Sequence, residues 1–305
     1  MPHDHAHHHH HDLDAAGGDR RVALALVVNV GLSLAQIAGG IVSGSVALVA
    51  DAVHNLSDAA ALALAFAARR IARRPADAKM TFGYGRAEVV AALINYTALI
   101  LLSVWLAGEA VTRLIAPPPV EGWPVVILAA LALVVNSVTA LLTFAMAKDS
   151  VNIRAAFLHN LGDAATSLVV MLAGGLILLY DWRLVDPLAT IAISAWMLRI
   201  SFIEIGPVIR ILMLGAPPET AAEEILQEIE AVPGVAGAHH LHLWQIDERK
   251  ISCEAHLVVS GDPAVVDRAV RRMLERDYHI HHATFQVETV EGRCVGAPAI
   301  GHAAE

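Results

Sequence analysis

Cysteine is nearly absent from this chain: Cys253 and Cys294 are the only two in 305 residues. Two thiols cannot build a disulfide framework or a Cys-x-x-Cys metal ribbon, and both read as ordinary reduced thiols of a cytosolic segment. Charge is scarce as well, with 17 % charged against 56 % apolar residues, too apolar for an ordinary soluble enzyme. The basic residues are scattered and the formal net charge is −9, so no nucleic-acid partner is expected. No His-Glu-x-x-His string, Gly-rich phosphate loop or Gly-x-Ser-x-Gly nucleophile turn occurs, and no enzymatic activity or organic cofactor is expected. The first twenty residues lack the apolar core and cleavage pattern of a secretory signal peptide.

Long apolar stretches are present instead, at about 22–43, 46–68, 88–115, 124–147, 154–180 and 184–213. Each reaches the ~20 residues that a helix needs to cross the hydrocarbon core of a bilayer. Small residues such as Gly39-Gly40 and Gly174-Gly175 suit close helix packing in lipid. Short connections make the first and last pairs of spans antiparallel hairpins. Arg69, Arg70, Arg73, Arg74, Lys79 and Arg86 crowd the link between spans two and three, Arg20 and Arg21 precede span one, and Lys148 and Arg154 flank the link between four and five. Only Arg113 and Arg183 lie near the opposite ends. The positive-inside rule therefore places the arginine-rich link and both termini in the cytoplasm.

The remainder gives a four-part organisation. Residues 1–20 form a His-rich cytoplasmic tail without fixed structure, in which His3, His5 and His7 to His11 alternate with Asp4, Ala6 and Asp12 as in a native metal-catching segment rather than a plain purification run. Residues 21–214 are a six-helix transmembrane domain. From Gly215 the pattern becomes that of a soluble domain to about 293: a helix at about 218–231 with Ile225, Leu226 and Ile229 on one face, strands at about 237–246 and 250–259, a helix at about 263–276, and a last strand at about 283–290. The order α-β-β-α-β suits a ferredoxin-like α+β fold. The Gly/Ala-rich residues 294–305 read as a disordered tail.

Two strings carry the chemistry. His54-Asn55-Leu56-Ser57-Asp58 and His159-Asn160-Leu161-Gly162-Asp163 lie in spans two and five. The four-residue spacing stacks each His and Asp on one helix face. A lone His or Asp in a span commonly just bonds to a neighbouring helix. Two copies of one spacing in separate spans carry a desolvation cost that a bound cation offsets and apolar packing does not. His54, Asp58, His159 and Asp163 together supply a complete tetrahedral shell for Zn²⁺, and two nitrogens with two oxygens and no thiolate favour zinc over copper(I) or the all-oxygen ions. Asp51 precedes His54 by three residues, an accessory carboxylate or a helix–helix hydrogen bond. Asn55 and Asn160 point about 100° away around the helix. Because metal and protons compete for imidazole and carboxylate, inward proton movement could drive outward zinc movement.

The run Leu48 to Asp58, the string Phe82-Gly83-Tyr84-Gly85-Arg86-Ala87-Glu88, the His159–Asp163 motif, and the segments His239 to Trp244 and His282 to Glu288 together resemble the cation diffusion facilitator family, from about residue 20 to 293. The resemblance implies a six-span homodimer with a ferredoxin-like cytoplasmic domain that exports divalent metal in exchange for protons, from a bacterial inner membrane. Histidine at both motifs goes with its zinc-exporting branch, with cadmium as a passenger and cobalt or nickel left open. Some bacterial relatives add a zinc site in the link between spans two and three. Here Asp77 keeps its place but Met80 and Tyr84 stand where histidines would, so no zinc is expected there. A lysine–aspartate lock at the relatives' dimer interface would here pair Arg86 with Met213.

The soluble domain is rich in histidine: His239, His240, His242, His256, His279, His281 and His282. Strand alternation sends His240 and His242 to one face and His239 to the other. The resemblance implies a regulatory zinc cluster of His239, His256, one of His281 or His282, and Glu288. Two rival functions explain less. A membrane zinc sensor without transport accounts for the soluble histidines but not for ligands in two spans, and a zinc-dependent membrane enzyme lacks its motif.

Overall fold

A computed structural model describes the backbone of residues 15–144 and 151–302 and the side chains of residues 27–141 and 157–302. The N-terminal histidine run and the end of the fourth apolar stretch lie outside the described residues. Six long helices come first: α1 (Ala15–Ser43), α2 (Val46–Ala72), α3 (Arg86–Ile115), α4 (Gly122–Phe144), α5 (Val151–Tyr180) and α6 (Val185–Leu212). Among the described residues α2 to α6 are long and apolar enough to cross a membrane, and α1 adds a shorter apolar segment, Val27–Ser43. α1 starts inside the stretch expected as an N-terminal tail. The chain divides into two compact units, one holding Ala98–Ile200 and the chain up to Leu62, the other Ala63–Thr97 and the chain from Ser201.

In the first unit, Ala47, Leu48 and Ala50 of α2 are buried against Leu106, Val125, Ala129, Val170, Ala173 and Met197 from α3 to α6. Small residues set how near the helices come: a Cβ on Gly174 of α5 would sit 2.9 Å from the Val125 Cγ1 of α4, so only glycine admits that approach. Gly44 and Ser45 alone join α1 to α2, Gly44 with φ +76°, a conformation that glycine adopts without penalty. The first turn of α2 is held by a distant carboxylate. Asp186, at the start of α6 and buried, accepts the Ser45 hydroxyl, the Val46 N–H at 2.9 Å and the Ala47 N–H at 3.4 Å. Ser45 Oγ in turn accepts the Leu48 N–H at 3.1 Å. Orphan N–H groups at a helix start are satisfied in this way, and the negative charge opposes the helix dipole favourably.

The second unit contains the α+β domain: α7 (Ala222–Glu230), β1 (Val235–Gln245), β2 (Ile251–Val259), α8 (Pro263–Tyr278) and β3 (His282–Thr289). The sheet order is β1-β2-β3, with β1/β2 antiparallel and β2/β3 parallel, the α-β-β-α-β order expected from the sequence. Ile225, Leu226 and Ile229 are buried as their spacing demands, against Leu241, Leu257, Val270 and Leu274. Asp262 caps α8 by accepting the Ala264 N–H at 2.8 Å, with Pro263 in the first turn.

Two features of this domain depart from the sequence reading. The segment from 294, expected to be disordered, is described to residue 302 and lies along β1: the His240 and Leu241 N–H groups donate to the Pro298 and Ala299 carbonyls at 3.0 and 3.1 Å, and the Gly301 N–H donates to the Leu241 carbonyl at 3.0 Å. β1 is an edge strand with unpaired main-chain groups, and backbone pairing there needs no apolar side chains. The register of β1 on β2 also shifts between His239 and His242, with His240 at φ +51°. That bulge breaks the strict alternation, so His239 and His240 both stack on His256, with ring centroids 5.1 and 4.8 Å away.

The link between α2 and α3 uses Asp77 as a turn-former. Its carboxylate accepts the Lys79 and Met80 N–H groups at 2.8 and 2.9 Å and the Tyr84 hydroxyl at 2.8 Å. The Tyr84 bond holds the Asp77 carboxyl below the usual range. Arg86 is engaged within its own protomer, donating to the Ile246 and Gln245 carbonyls at 2.8 and 3.2 Å, while Met213 is exposed.

Candidate metal centres

α2 and α5 bring the two His-x-x-x-Asp pairs together. His54 Nε2 lies 3.3 Å from Asp163 Oδ1 and 3.9 Å from Asp58 Oδ2, and His159 Nε2 lies 3.6 Å from Asp58 Oδ2 and 3.5 Å from Asp163 Oδ2. A tetrahedral zinc with bonds of about 2.0 Å keeps its donors about 3.3 Å apart. Three of the four imidazole–carboxylate separations lie within a few tenths of an ångström of that length, Asp163 meeting His54 through Oδ1 and His159 through Oδ2, and the fourth, His54 to Asp58, is longer at 3.9 Å. The donor atoms of His54, Asp58 and Asp163 all lie within 4.8 Å of one another. His159 stands at the margin, its side chain 50 % exposed and its ring 6.5 Å from that of His54. Asp58 Oδ2 is buried with no hydrogen-bond partner, a costly state for a carboxylate oxygen unless a cation completes it.

Asp51 takes the second of the roles its sequence position leaves open. It is fully buried, accepting the Gln36 amide of α1 at 2.8 Å and the Ser167 hydroxyl of α5 at 3.2 Å. Its oxygens are occupied by neighbouring helices rather than presented as ligands. Gln36 and Ser167 carry no motif, and sequence reasoning had no signal for them.

A second group of donors forms in the cytoplasmic domain. His256 Nδ1 lies 2.8 Å from Glu288 Oε1, the Cys294 thiol donates to the same oxygen at 3.2 Å, and His239 Nε2 is 3.3 Å from Glu288 Oε2. Donor atoms of all four residues lie within 4.8 Å of one another. Burial pushes the Glu288 carboxyl up, but the Cys294 N–H and thiol and the His256 ring outweigh it and bring it down to about 2. The hydrogen bond to Glu288 pushes the Cys294 thiol up. His239 Nε2 is buried without a hydrogen-bond partner. An orphaned nitrogen facing an ionised carboxylate, a second imidazole and a thiol is a donor set that fits zinc.

The structure does not bring the other expected ligands to this group. His281 pairs with Glu275 at 3.3 Å, and the His282 ring packs edge-on to Phe82 at 5.7 Å. Both stand where β3 begins, ahead of Glu288 near its end, and the fourth group within reach of Glu288 is Cys294 from the following segment. In the sequence Cys294 has the look of a plain thiol, because its proximity to Glu288 depends on the turn after β3.

Two family models match this chain. The cation efflux transmembrane domain matches residues 22–213, and the cytoplasmic domain of cation efflux proteins matches residues 217–290. The chain belongs to the cation efflux family of membrane proteins. It is 36 % identical to the zinc transporter ZitB of Pectobacterium atrosepticum, over 94 % of this chain and 89 % of that one. It is 33 % identical to the metal cation efflux system protein CzcD of Cupriavidus metallidurans, over 98 % and 92 %. It is also 33 % identical to the cadmium, cobalt and zinc/H(+)-K(+) antiporter of Bacillus subtilis, over 90 % of each chain.

Proposed function

We propose that this protein exports zinc, and cadmium as a second cargo, from the cytoplasm by alternating access, using His54, Asp58, His159 and Asp163 as the transport site. The observation that carries the reading is the convergence of both His-x-x-x-Asp pairs across α2 and α5, with imidazole–carboxylate separations of 3.3 to 3.9 Å. Protons are the counter-ion: each ligand that releases metal is a base able to take up a proton. The protein works as a homodimer in a bacterial inner membrane with both termini cytoplasmic, which the arginine-rich link supports. The names of the similar transporters support the choice of cargo.

The group of His239, His256, Glu288 and Cys294 serves as the regulatory zinc site. When bound there, zinc supplies a cross-link between β1, β2, β3 and the C-terminal segment. The chain's own residues prepare for it by keeping Glu288 ionised and the two imidazoles stacked.

Zinc flux in proteoliposomes, with and without an opposing proton gradient, tests the reading. Wild-type flux that rises with the gradient and is lost in Asp163→Asn is expected. Metal bound to the spans without any flux would instead establish a sensor, and flux indifferent to the gradient would remove the proton coupling.

A further inference from the structure

Three more imidazoles converge beside the edge of β1 that the C-terminal segment pairs with. His240 and His242 come from β1 and His302 from the C-terminal segment, and one ring nitrogen of each lies within 4.8 Å of the others. Their rings form a short stack, with His302 centred 5.3 Å from His240 and 4.6 Å from His242. We propose that His240, His242 and His302 form a second, separate metal site of the cytoplasmic domain, taking a borderline divalent cation such as Zn²⁺, Co²⁺ or Ni²⁺.

The placement of each ring has its own cause. His302 is delivered by the main-chain bonds of residues 298, 299 and 301 to β1, so its position does not depend on any contact of the imidazole. His240 is turned by the bulge, where a non-glycine residue holds φ +51°, a conformation that persists only where the surroundings impose it. His242 sits in regular pairing opposite Glu254. All three rings, with Glu254 and His256, line one cavity of about 400 Å³, roomy enough for an ion that keeps a water ligand. Three imidazoles with an open fourth position are a known zinc arrangement, and nitrogen donors suit the later first-row dications.

This group shares no ligand with the group around Glu288 and contains no thiol, although the His240 ring packs 4.8 Å from that of His256. Its third ligand, like Cys294, lies beyond residue 290, where the match to the family's cytoplasmic domain ends. Cys294 and His302 therefore bracket the C-terminal segment with one donor for each centre. Metal at His302 would fasten that segment to the sheet edge.

The test uses the full chain in detergent, with Co²⁺ as probe, in a background from which the seven N-terminal histidines have been removed by His→Ser substitution. His302→Ala and His242→Ala are each expected to lower bound Co²⁺ by one equivalent per protomer while the thiolate-to-cobalt charge-transfer band of Cys294 stays. His302→Gln keeps a polar side chain of similar reach and is expected to lose the same equivalent, which a merely structural contact would not do. His281→Ala is the control without loss. Unchanged stoichiometry in the His302 and His242 variants, or loss of the thiolate band together with the equivalent, would overturn the proposal.

Discussion

His54 Nε2 on α2 stands 3.3 Å from Asp163 Oδ1 on α5. That single contact joins two spans far apart in the chain, and it is the shortest separation between the paired motifs. In the proposed transport site, a metal ion arriving between these atoms would displace a proton held by either, so binding and proton release would be one event.

Replacing Asp163 removes a donor that also neutralises the incoming dication. Changing an outer partner of a metal ligand commonly costs about 10–100-fold in affinity, so losing the ligand itself should cost at least that much. Asp163→Asn is expected to bind Zn²⁺ to the spans at least ~10-fold more weakly, measured by titration of the full chain in a background with His239→Ala, His256→Ala, His302→Ala and the seven N-terminal histidines changed to serine. Affinity within twofold of the parent would show that Asp163 is not a ligand.

Asp51 behaves as a strut. Removing its carboxylate leaves the buried Gln36 amide and Ser167 hydroxyl without their acceptor, at about 1–3 kcal/mol for each unpaired group. Asp51→Ala should lower the thermal midpoint by several degrees while still binding one metal at His54, Asp58, His159 and Asp163. A stable Asp51→Ala protein that has lost this metal would reassign Asp51 as a ligand.

Asp186 holds the first turn of α2 from α6 through three donors. Loss of a helix cap costs about 0.5–2 kcal/mol. Asp186→Ala is expected at or above the top of that range because buried N–H groups are orphaned as well, with Asp186→Asn recovering part of the loss in the same melting experiment. Equal melting of wild type and Asp186→Ala would refute the cap.

The Cys294 thiol should react slowly in the metal-free protein. Its S–H donates to an ionised Glu288, which pushes the thiol up. Glu288→Gln removes the charge, so the thiol returns toward its ordinary value and more of it is thiolate at any pH below that value. Alkylation at pH 8 should therefore speed up in Glu288→Gln. Cys253, buried and pushed up to about 12, should stay silent in both proteins, and a Glu288→Gln rate equal to or below wild type would contradict the pairing.

Glu288 also gives the domain a defined acid limit. Its carboxyl falls from an ordinary 4.5 to about 2 in the fold, so the stabilisation is fully present above about 4.5 and is lost as pH falls toward 2. The stability difference between wild type and Glu288→Gln should be flat above pH 5 and shrink below it. A difference that grows on acidification would be the wrong sign.

Much of this was legible in the chain because it rests on spacing. His-x-x-x-Asp reports which side chains share a helix face, and apolar runs report spans, so the pairs in spans two and five could be matched before any coordinates. The Ile225, Leu226 and Ile229 face and the element order of the soluble domain followed from the same periodicities. What was hidden rests on pairings between distant residues. Nothing near Asp186 says that it caps a helix beginning at Val46, and nothing near Gln36 says that it meets Asp51. The Ala-rich segment after Gly296 has no apolar period, because its docking on β1 runs through main-chain hydrogen bonds. The bulge at His240, which undoes strand alternation, likewise has no signature beyond the register it disrupts.

The half-exposed ring of His159 has a consequence for how an ion is captured. In the proposed transport site, His54, Asp58 and Asp163 would form an inner seat, with the exposed His159 ring at its open side. An arriving dication would then shed its hydration shell in stages, exchanging waters for protein atoms one at a time instead of surrendering them all before the first bond is made. Departure would retrace the same steps, beginning at His159.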